Sequence, residues 1–106
     1  MASIKVKFRP SKNENKEGTI YYQIIQNRVI RQLKTDYRLF MHEWNEDNNA
    51  IIDTNDSRQN YLQSIEERID WDIKRLQNII KQLENKRVKY TADDIISAFQ
   101  KQANEQ

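Results

Sequence analysis

Every other residue of Ile4-Lys5-Val6-Lys7-Phe8-Arg9 is basic. Successive side chains of an extended chain point to opposite sides, so this alternation makes a strand with one apolar face and one cationic face. Pro10 cannot donate to a strand ladder and marks the exit. Two further segments, Thr19 to Gln26 and Val29 to Tyr37, are β-branched and aromatic, separated by Asn27-Arg28. That break predicts a tight hairpin turn: Asn tolerates positive φ at its first position, while Arg where Gly is usual leaves the turn type open.

A two-residue loop fixes the register. Gln26 then faces Val29, Ile24 faces Arg31, Tyr22 faces Leu33 and Ile20 faces Thr35 on one side of the sheet. On the other side Ile25 meets Ile30, Gln23 meets Gln32 and Tyr21 meets Lys34. Since Ile4, Val6 and Phe8 form the apolar face of the first strand, Ile20, Tyr22, Ile24 and Leu33 are assigned to the same core side. Arg31 is the awkward member, sent toward the core unless it lies at the sheet's end with its head group in water. The opposite side displays Lys5, Lys7, Arg9, Tyr21, Gln23, Gln32 and Lys34.

The loop from Ser11 to Gly18 has nothing to bury and is expected to be mobile unless a ligand orders it. Between Leu39 and Asn60 the chain is polar, anchored only by Trp44 and Ile51-Ile52, and is expected to wrap the sheet's edge. From Asp56 the period becomes helical, with Leu62, Ile65, Ile69, Ile73, Leu76, Ile80 and Leu83 at steps of three and four. Asp56 and Gln59 predict a capping box and Asn85-Lys86-Arg87 a terminus. A helix from Ser57 to Leu83 is roughly 40 Å long, more than three short strands can cover. Its first half is expected to back the sheet, while Leu76, Ile80 and Leu83 form an overhanging seam for a partner helix, a second copy or a following domain. A second helix starts at Thr91, with Asp94 at the third helical position, Tyr90 stapled to Ile95, and a stripe of Ile95, Ile96 and Phe99. The last six residues, Lys101 to Gln106, are expected to add no element. The fold class is α+β: a three-stranded antiparallel sheet packed on a long α-helix, followed by a second short C-terminal helix. Residues 1–55 make the basic sheet with its edge-wrapping loop, and residues 56–106 the long helix plus the short C-terminal helix.

A chain of 106 residues supports one modest core. Without Cys it has neither disulfides nor thiolate metal sites, and His42 is the only histidine. No apolar run approaches the ~20 residues of a bilayer crossing, and no signal peptide is evident; a soluble, cytoplasmic protein is expected. For catalysis the inventory is poor: no glycine-rich phosphate loop and no Gly-x-Ser-x-Gly elbow. His42 is read as a loop histidine beside Trp44, and Asp70 and Asp72, two apart on a helix, as a solvated surface and not a carboxylate pair. No cofactor, metal or small-molecule substrate is implied, and no membrane.

The net charge of +2 conceals an asymmetry. Residues 1–38 hold nine Lys/Arg against three acids, a net +6; residues 39–106 hold nine against thirteen, a net −4. One surface is therefore suited to a polyanion and the other is not. Three alternate cations also describe the wet side of an amphipathic strand. The companions favour nucleic acid: Gln pairs with adenine N6/N7 and Arg or Lys with guanine O6/N7 in a major groove wide enough for a narrow sheet. Lys12, Lys16 and Arg28 then lie near phosphates. The rival is a protein-interaction module working through the long helix without nucleic acid. RNA binding needs exposed aromatics, and only Tyr21 qualifies.

The stretches Ile4 to Ser11, Gly18 to Phe40, Glu43-Trp44-Asn45 and Tyr90 to Phe99 resemble the N-terminal arm-binding domain of tyrosine recombinases, the phage and conjugative-transposon integrases. The likeness covers almost the whole chain. It implies a bacterial, nucleoid-associated protein whose three-stranded sheet enters the major groove of arm-type sites in double-stranded DNA, with self-association or a downstream recombinase domain as partners of the long helix. Many relatives carry Pro where Met41 stands, and Asp36 replaces the usual glycine of the Thr-Gly turn. A full integrase continues into core-binding and catalytic domains with Arg, His and Tyr; nothing here matches that set, so this chain is not expected to cleave DNA.

Overall fold

The computed structural model describes residues 2–104. Three strands, β1 (Ser3–Arg9), β2 (Gly18–Gln26) and β3 (Val29–Leu39), form an antiparallel sheet in the order β1-β2-β3. A 3-10 turn at Met41–Glu43 leads into a two-stranded ribbon of β4 (Trp44–Asn45) and β5 (Ala50–Ile51), and two helices follow, α1 (Gln59–Asn85) and α2 (Ala92–Asn104). The α+β architecture is the expected one.

Both hairpin residues have positive φ, Asn27 at 52° and Arg28 at 67°, the signature of a type I′ turn whose twist suits the flanking strands. The register follows the turn: Gln26↔Val29, Ile25↔Ile30, Ile24↔Arg31, Gln23↔Gln32, Tyr22↔Leu33 and Tyr21↔Lys34. The expected Ile20–Thr35 pair does not form. Instead β3 bulges, and pairing resumes at Thr19↔Arg38. Thr35 Oγ1 donates to the Ile20 carbonyl at 2.7 Å and accepts from the Tyr37 N–H at 3.1 Å, so a side chain takes over a rung of the ladder. Because the slip is two residues, the inward alternation through Leu33, Thr35, Tyr37 and Leu39 survives it. Next to the bulge, at the start of β2, a Cβ on Gly18 would collide with the Arg9 carbonyl oxygen and come within 2.8 Å of Pro10 Cα, so only glycine lets β1 and β2 close here.

The inner face of the sheet (Ile20, Tyr22, Ile24, Leu33, Leu39) and α1 (Leu62, Ile65, Ile69, Leu76, Ile79, Ile80) share one buried cluster. Burial of each such side chain contributes about 1.5–3 kcal/mol, which holds the long helix to the sheet. The expected overhang does not occur. α2 folds back beside α1, β2 and β3, and its Ile95 and Ala92, with Tyr90 before it, are buried in the same cluster as Leu76 and Ile80. The reversal is made by Arg87, left-handed at φ 56°, whose N–H donates to the Glu84 carbonyl at 3.1 Å.

Thr91 and Asp94 form the capping box expected for α2: each side chain accepts from the other's backbone N–H, at 3.1 and 2.9 Å. This helix runs through Lys101 to Asn104, further than the polar composition predicts; Glu105 and Gln106 lie outside the described residues. The capping box expected of Asp56 and Gln59 does not form: the N-cap of α1 is Arg58, which makes no side-chain cap bond, and the Asp56 carboxylate accepts from the Arg58 N–H at 2.8 Å within the turn before the helix.

Of two charged residues singled out in the sequence, Arg31 keeps to its reading and Asp72 departs from it. Arg31 sits at the sheet's end in contact with α2, its guanidinium 3.3 Å from Asp93, with both side chains half exposed or more. Asp70 is exposed, but Asp72 is buried against the sheet, where one carboxylate oxygen accepts from both Tyr22 Oη and Tyr37 Oη at 2.7 Å. Burial, then the hydrogen bond to Asp72 and its negative charge, push both phenols well above their ordinary range.

Candidate nucleic-acid interface

Strand register sets the outer face of the sheet in four rows: Ser3–Ile25–Ile30, Lys5–Gln23–Gln32, Lys7–Tyr21–Lys34 and Arg9–Thr19–Arg38. With strands about 4.8 Å apart the three columns span about 10 Å. Both helices pack on the inner side, and the edge strands leave Lys5, Arg9, Gln32, Lys34 and Arg38 exposed, with Lys7, Tyr21 and Gln23 half-buried between neighbours.

The structure therefore brings Lys5, Lys7, Arg9, Tyr21, Gln23, Gln32 and Lys34 together on one surface, as the alternation predicts. Lys12, Lys16 and Arg28 are separate from it. Lys12 and Lys16 lie in the β1–β2 loop beyond the Arg9 row, and Arg28 lies in the hairpin turn beyond the Ile25–Ile30 row, so cations flank the face at both ends. Sequence reasoning missed Arg38. Continuing the β3 alternation past Lys34 and Asp36 finds it, and the two-residue bulge keeps it on this side. Arg38 and Lys16 also border a polar concavity of about 340 Å³ with Ser11 and Asn15.

Among the described residues, no salt bridge engages Lys5, Lys7, Arg9, Lys34 or Arg38, whereas Arg31, Arg58 and Arg75, away from this face, are each paired with carboxylates. Face cations are thus uncompensated within the molecule and project a positive potential. One contact organises the surface: Arg9 crosses the Tyr21 ring, 5.0 Å from its centroid, and donates from Nη2 to Gln32 Oε1 at 2.7 Å. This holds the Gln32 amide with its NH₂ group free to donate outward.

The loop that carries Lys16, expected to be mobile, makes local hydrogen bonds and one bond to the rest of the molecule. Asn13 and Asn15 N–H groups bond to the Ser11 and Asn13 side chains at 3.2 and 3.0 Å, and Glu17 accepts from Arg58 Nη2 at 2.9 Å. Arg58 also grips the fully buried Glu43 through Nε and Nη2 at 3.1 and 3.0 Å, while Glu43 accepts from the Phe40 N–H at 2.8 Å. Burial pushes the Glu43 carboxyl up, but the Arg58 and Phe40 hydrogen bonds and the Arg58 charge outweigh it and hold the group below its usual range. Glu43-Trp44 is therefore scaffold: Trp44 is buried with its ring 6.0 Å from that of Phe8, and Glu43 locks the end of β3 to the start of α1. His42 is exposed and stacks on Phe40 at 5.8 Å, not on Trp44. Among the described residues no three His, Asp or Glu groups converge to hold a metal ion, and no helix is long and apolar enough to cross a membrane.

The outer face of the sheet is thus uncovered by the helices, cationic, and about 10 Å across, with Gln23 on its central strand. No curated protein and no solved structure matches the chain significantly. A family model described as an Arm DNA-binding domain matches residues 6–96, which take in the second half of β1, all of β2 and β3, α1 and the start of α2, and on that match the chain belongs to the Arm DNA-binding domain family.

Proposed function

We propose that this chain is the accessory, arm-site DNA-binding module of a site-specific integrase, and that it lays the outer face of β1–β3 in the major groove of double-stranded DNA. The observation that carries this reading is the set of five unpaired cations around Gln23 and Gln32 on a surface about 10 Å wide, against a groove of about 12 Å. Gln23 and Gln32 address adenine N6/N7; Lys5, Lys7, Arg9 and Lys34 address guanine O6/N7 or the walls of the groove. Lys12, Lys16, Arg28 and Arg38 hold phosphates and set the register on the duplex. Family membership supports DNA as the partner. The rival protein-interaction reading relied on an open seam at Leu76, Ile80 and Leu83; Leu76 and Ile80 are buried in the cluster that includes Ile95 of α2, and Leu83 is partly buried against it, which weighs against that reading.

If about five phosphates are neutralised, log K falls with log salt with a slope of about −4 to −5. A gel shift of a random-sequence duplex at two ionic strengths measures this, with single-stranded RNA as the comparison. Lys7→Glu is expected to weaken binding to every duplex. A flat salt response, or stronger binding to the RNA, refutes the proposal.

A further inference from the structure

Two large apolar side chains stand on the outer face among the lysines. Ile25 and Ile30 are cross-strand partners in the row next to Gln23–Gln32, and Ile30 is 51% exposed. A β-branched pair across a hairpin steadies it, but that role asks nothing about which side of the sheet it occupies. Here the pair lies on the charged side, away from the core, and Arg28 stands in the adjoining turn.

We infer that Ile25 and Ile30 read thymine, by packing on its C5-methyl group in the major groove; the inference rests on the DNA-binding function proposed above. That methyl is the one apolar group a base pair offers in this groove. Ile has no donor or acceptor for the other edges, so a cytosine N4 amine pressed against it loses water and gains nothing. Side chains two apart on a strand are about 6.8 Å apart, twice the ~3.4 Å rise of a base pair. The isoleucine row and the glutamine row therefore address positions about two base pairs apart when the strands follow the groove. Thymine at one and adenine at the other make an A·T-rich preference.

The test removes only the methyl. A random 30-bp duplex pool is enriched by selection on the full chain, then recopied with dUTP in place of dTTP. Burying one methyl is worth about 0.8 kcal/mol, which is about fourfold in affinity. The wild-type chain is expected to bind the uracil pool about fourfold more weakly per methyl contacted. The Ile25→Ala/Ile30→Ala double variant, checked for fold by circular dichroism, is expected to bind both pools alike while keeping the wild-type salt slope. Equal wild-type affinity for the two pools overturns the inference and leaves the DNA-binding reading standing, as does a double variant that still discriminates as strongly as the wild type. Failure to enrich any duplex, with a flat salt response, overturns the underlying reading as well.

Discussion

Replacing Asp72 by Ala tests the most consequential departure of the structure from the pattern of the sequence. Of the acids on α1 only Asp72 is buried, and its Oδ2 is the acceptor of both the Tyr22 and Tyr37 hydroxyls at 2.7 Å. Tyr22 is fully buried, so its hydroxyl cannot recover water when the acceptor goes; an orphaned buried donor costs about 1–3 kcal/mol. Tyr37 is partly exposed and its hydroxyl rehydrates, so it forfeits only a net bond of about 1 kcal/mol. Relief from desolvating the carboxylate offsets part of this. The expected loss is about 2–3 kcal/mol for Asp72→Ala, against less than about 0.5 kcal/mol for the exposed Asp70→Ala two residues away. Urea unfolding at neutral pH, followed by far-ultraviolet circular dichroism, measures both. Adding Tyr22→Phe to Asp72→Ala removes the orphan itself, so the double variant is expected to be no less stable than Asp72→Ala alone, a clear departure from additivity. The reasoning is refuted if Asp72→Ala costs no more than Asp70→Ala, or if the two substitutions simply add.

Alkaline pH is expected to unfold the chain through the same cluster. Tyr22 and Tyr37 are raised by burial, then by Asp72, so the stability they contribute is full below their unfolded value of about 10 and is lost as pH climbs from there toward the folded values. Urea midpoints above about pH 10 should fall less in Tyr22→Phe and Tyr37→Phe than in the wild type, and an identical alkaline decline would refute the assignment. Arg28→Gly is expected to separate stability from binding: it relieves a side chain held at φ 67°, for a gain on the order of 1 kcal/mol, yet removes a phosphate contact and lowers the magnitude of the salt slope by about one. A stabilised variant with an unchanged slope would remove Arg28 from the interface.

What could be read from the sequence was whatever depended on parity and turn length. Six rungs of the β2–β3 ladder follow from a two-residue loop, and with them the membership of the outer face. The Thr35 bulge was invisible because it is made by a side-chain hydroxyl bonding to backbone, and a two-residue slip leaves the hydrophobic alternation unchanged. Asp72 was legible by phase: it falls between Ile69 and Leu76 at helical steps of three and four, on the buried stripe. Charge type argued for the surface and won, because the two phenols that satisfy the carboxylate lie 50 and 35 residues away in sequence. The fate of the Leu76–Ile80 seam could not be read from either helix alone. Each showed an apolar stripe, and the turn through Arg87 that sets one against the other uses a left-handed residue with no glycine to advertise it. On the face itself, composition identified the cations but not the Arg9–Gln32 bond that crosses Tyr21, which depends on a reach across three strands.

Cation types differ between the paired and the unpaired positions. Among the described residues, every salt-bridged cation is an arginine away from the face: Arg58 on Glu43 and Glu17, Arg75 near Asp72 at 3.7 Å, Arg31 on Asp93. A planar guanidinium can satisfy two acceptors at once and stack on rings, as Arg58 does on Phe40 and Tyr61 at 4.9 and 4.6 Å and Arg75 on Phe99 at 4.2 Å. The centre of the outer face carries lysines at positions 5, 7 and 34, compact charges on flexible stems that can follow a phosphate without a fixed geometry. Arginine appears there only at Arg9 and Arg38, where the row meets the β1–β2 loop, and Arg9 is already oriented by Gln32. Paired and unpaired charge are therefore carried by different side chains on different surfaces. It follows that reversing a face lysine leaves the Glu43–Arg58 and Tyr22–Asp72–Tyr37 networks intact, so its effect on DNA affinity can be measured on a folded chain.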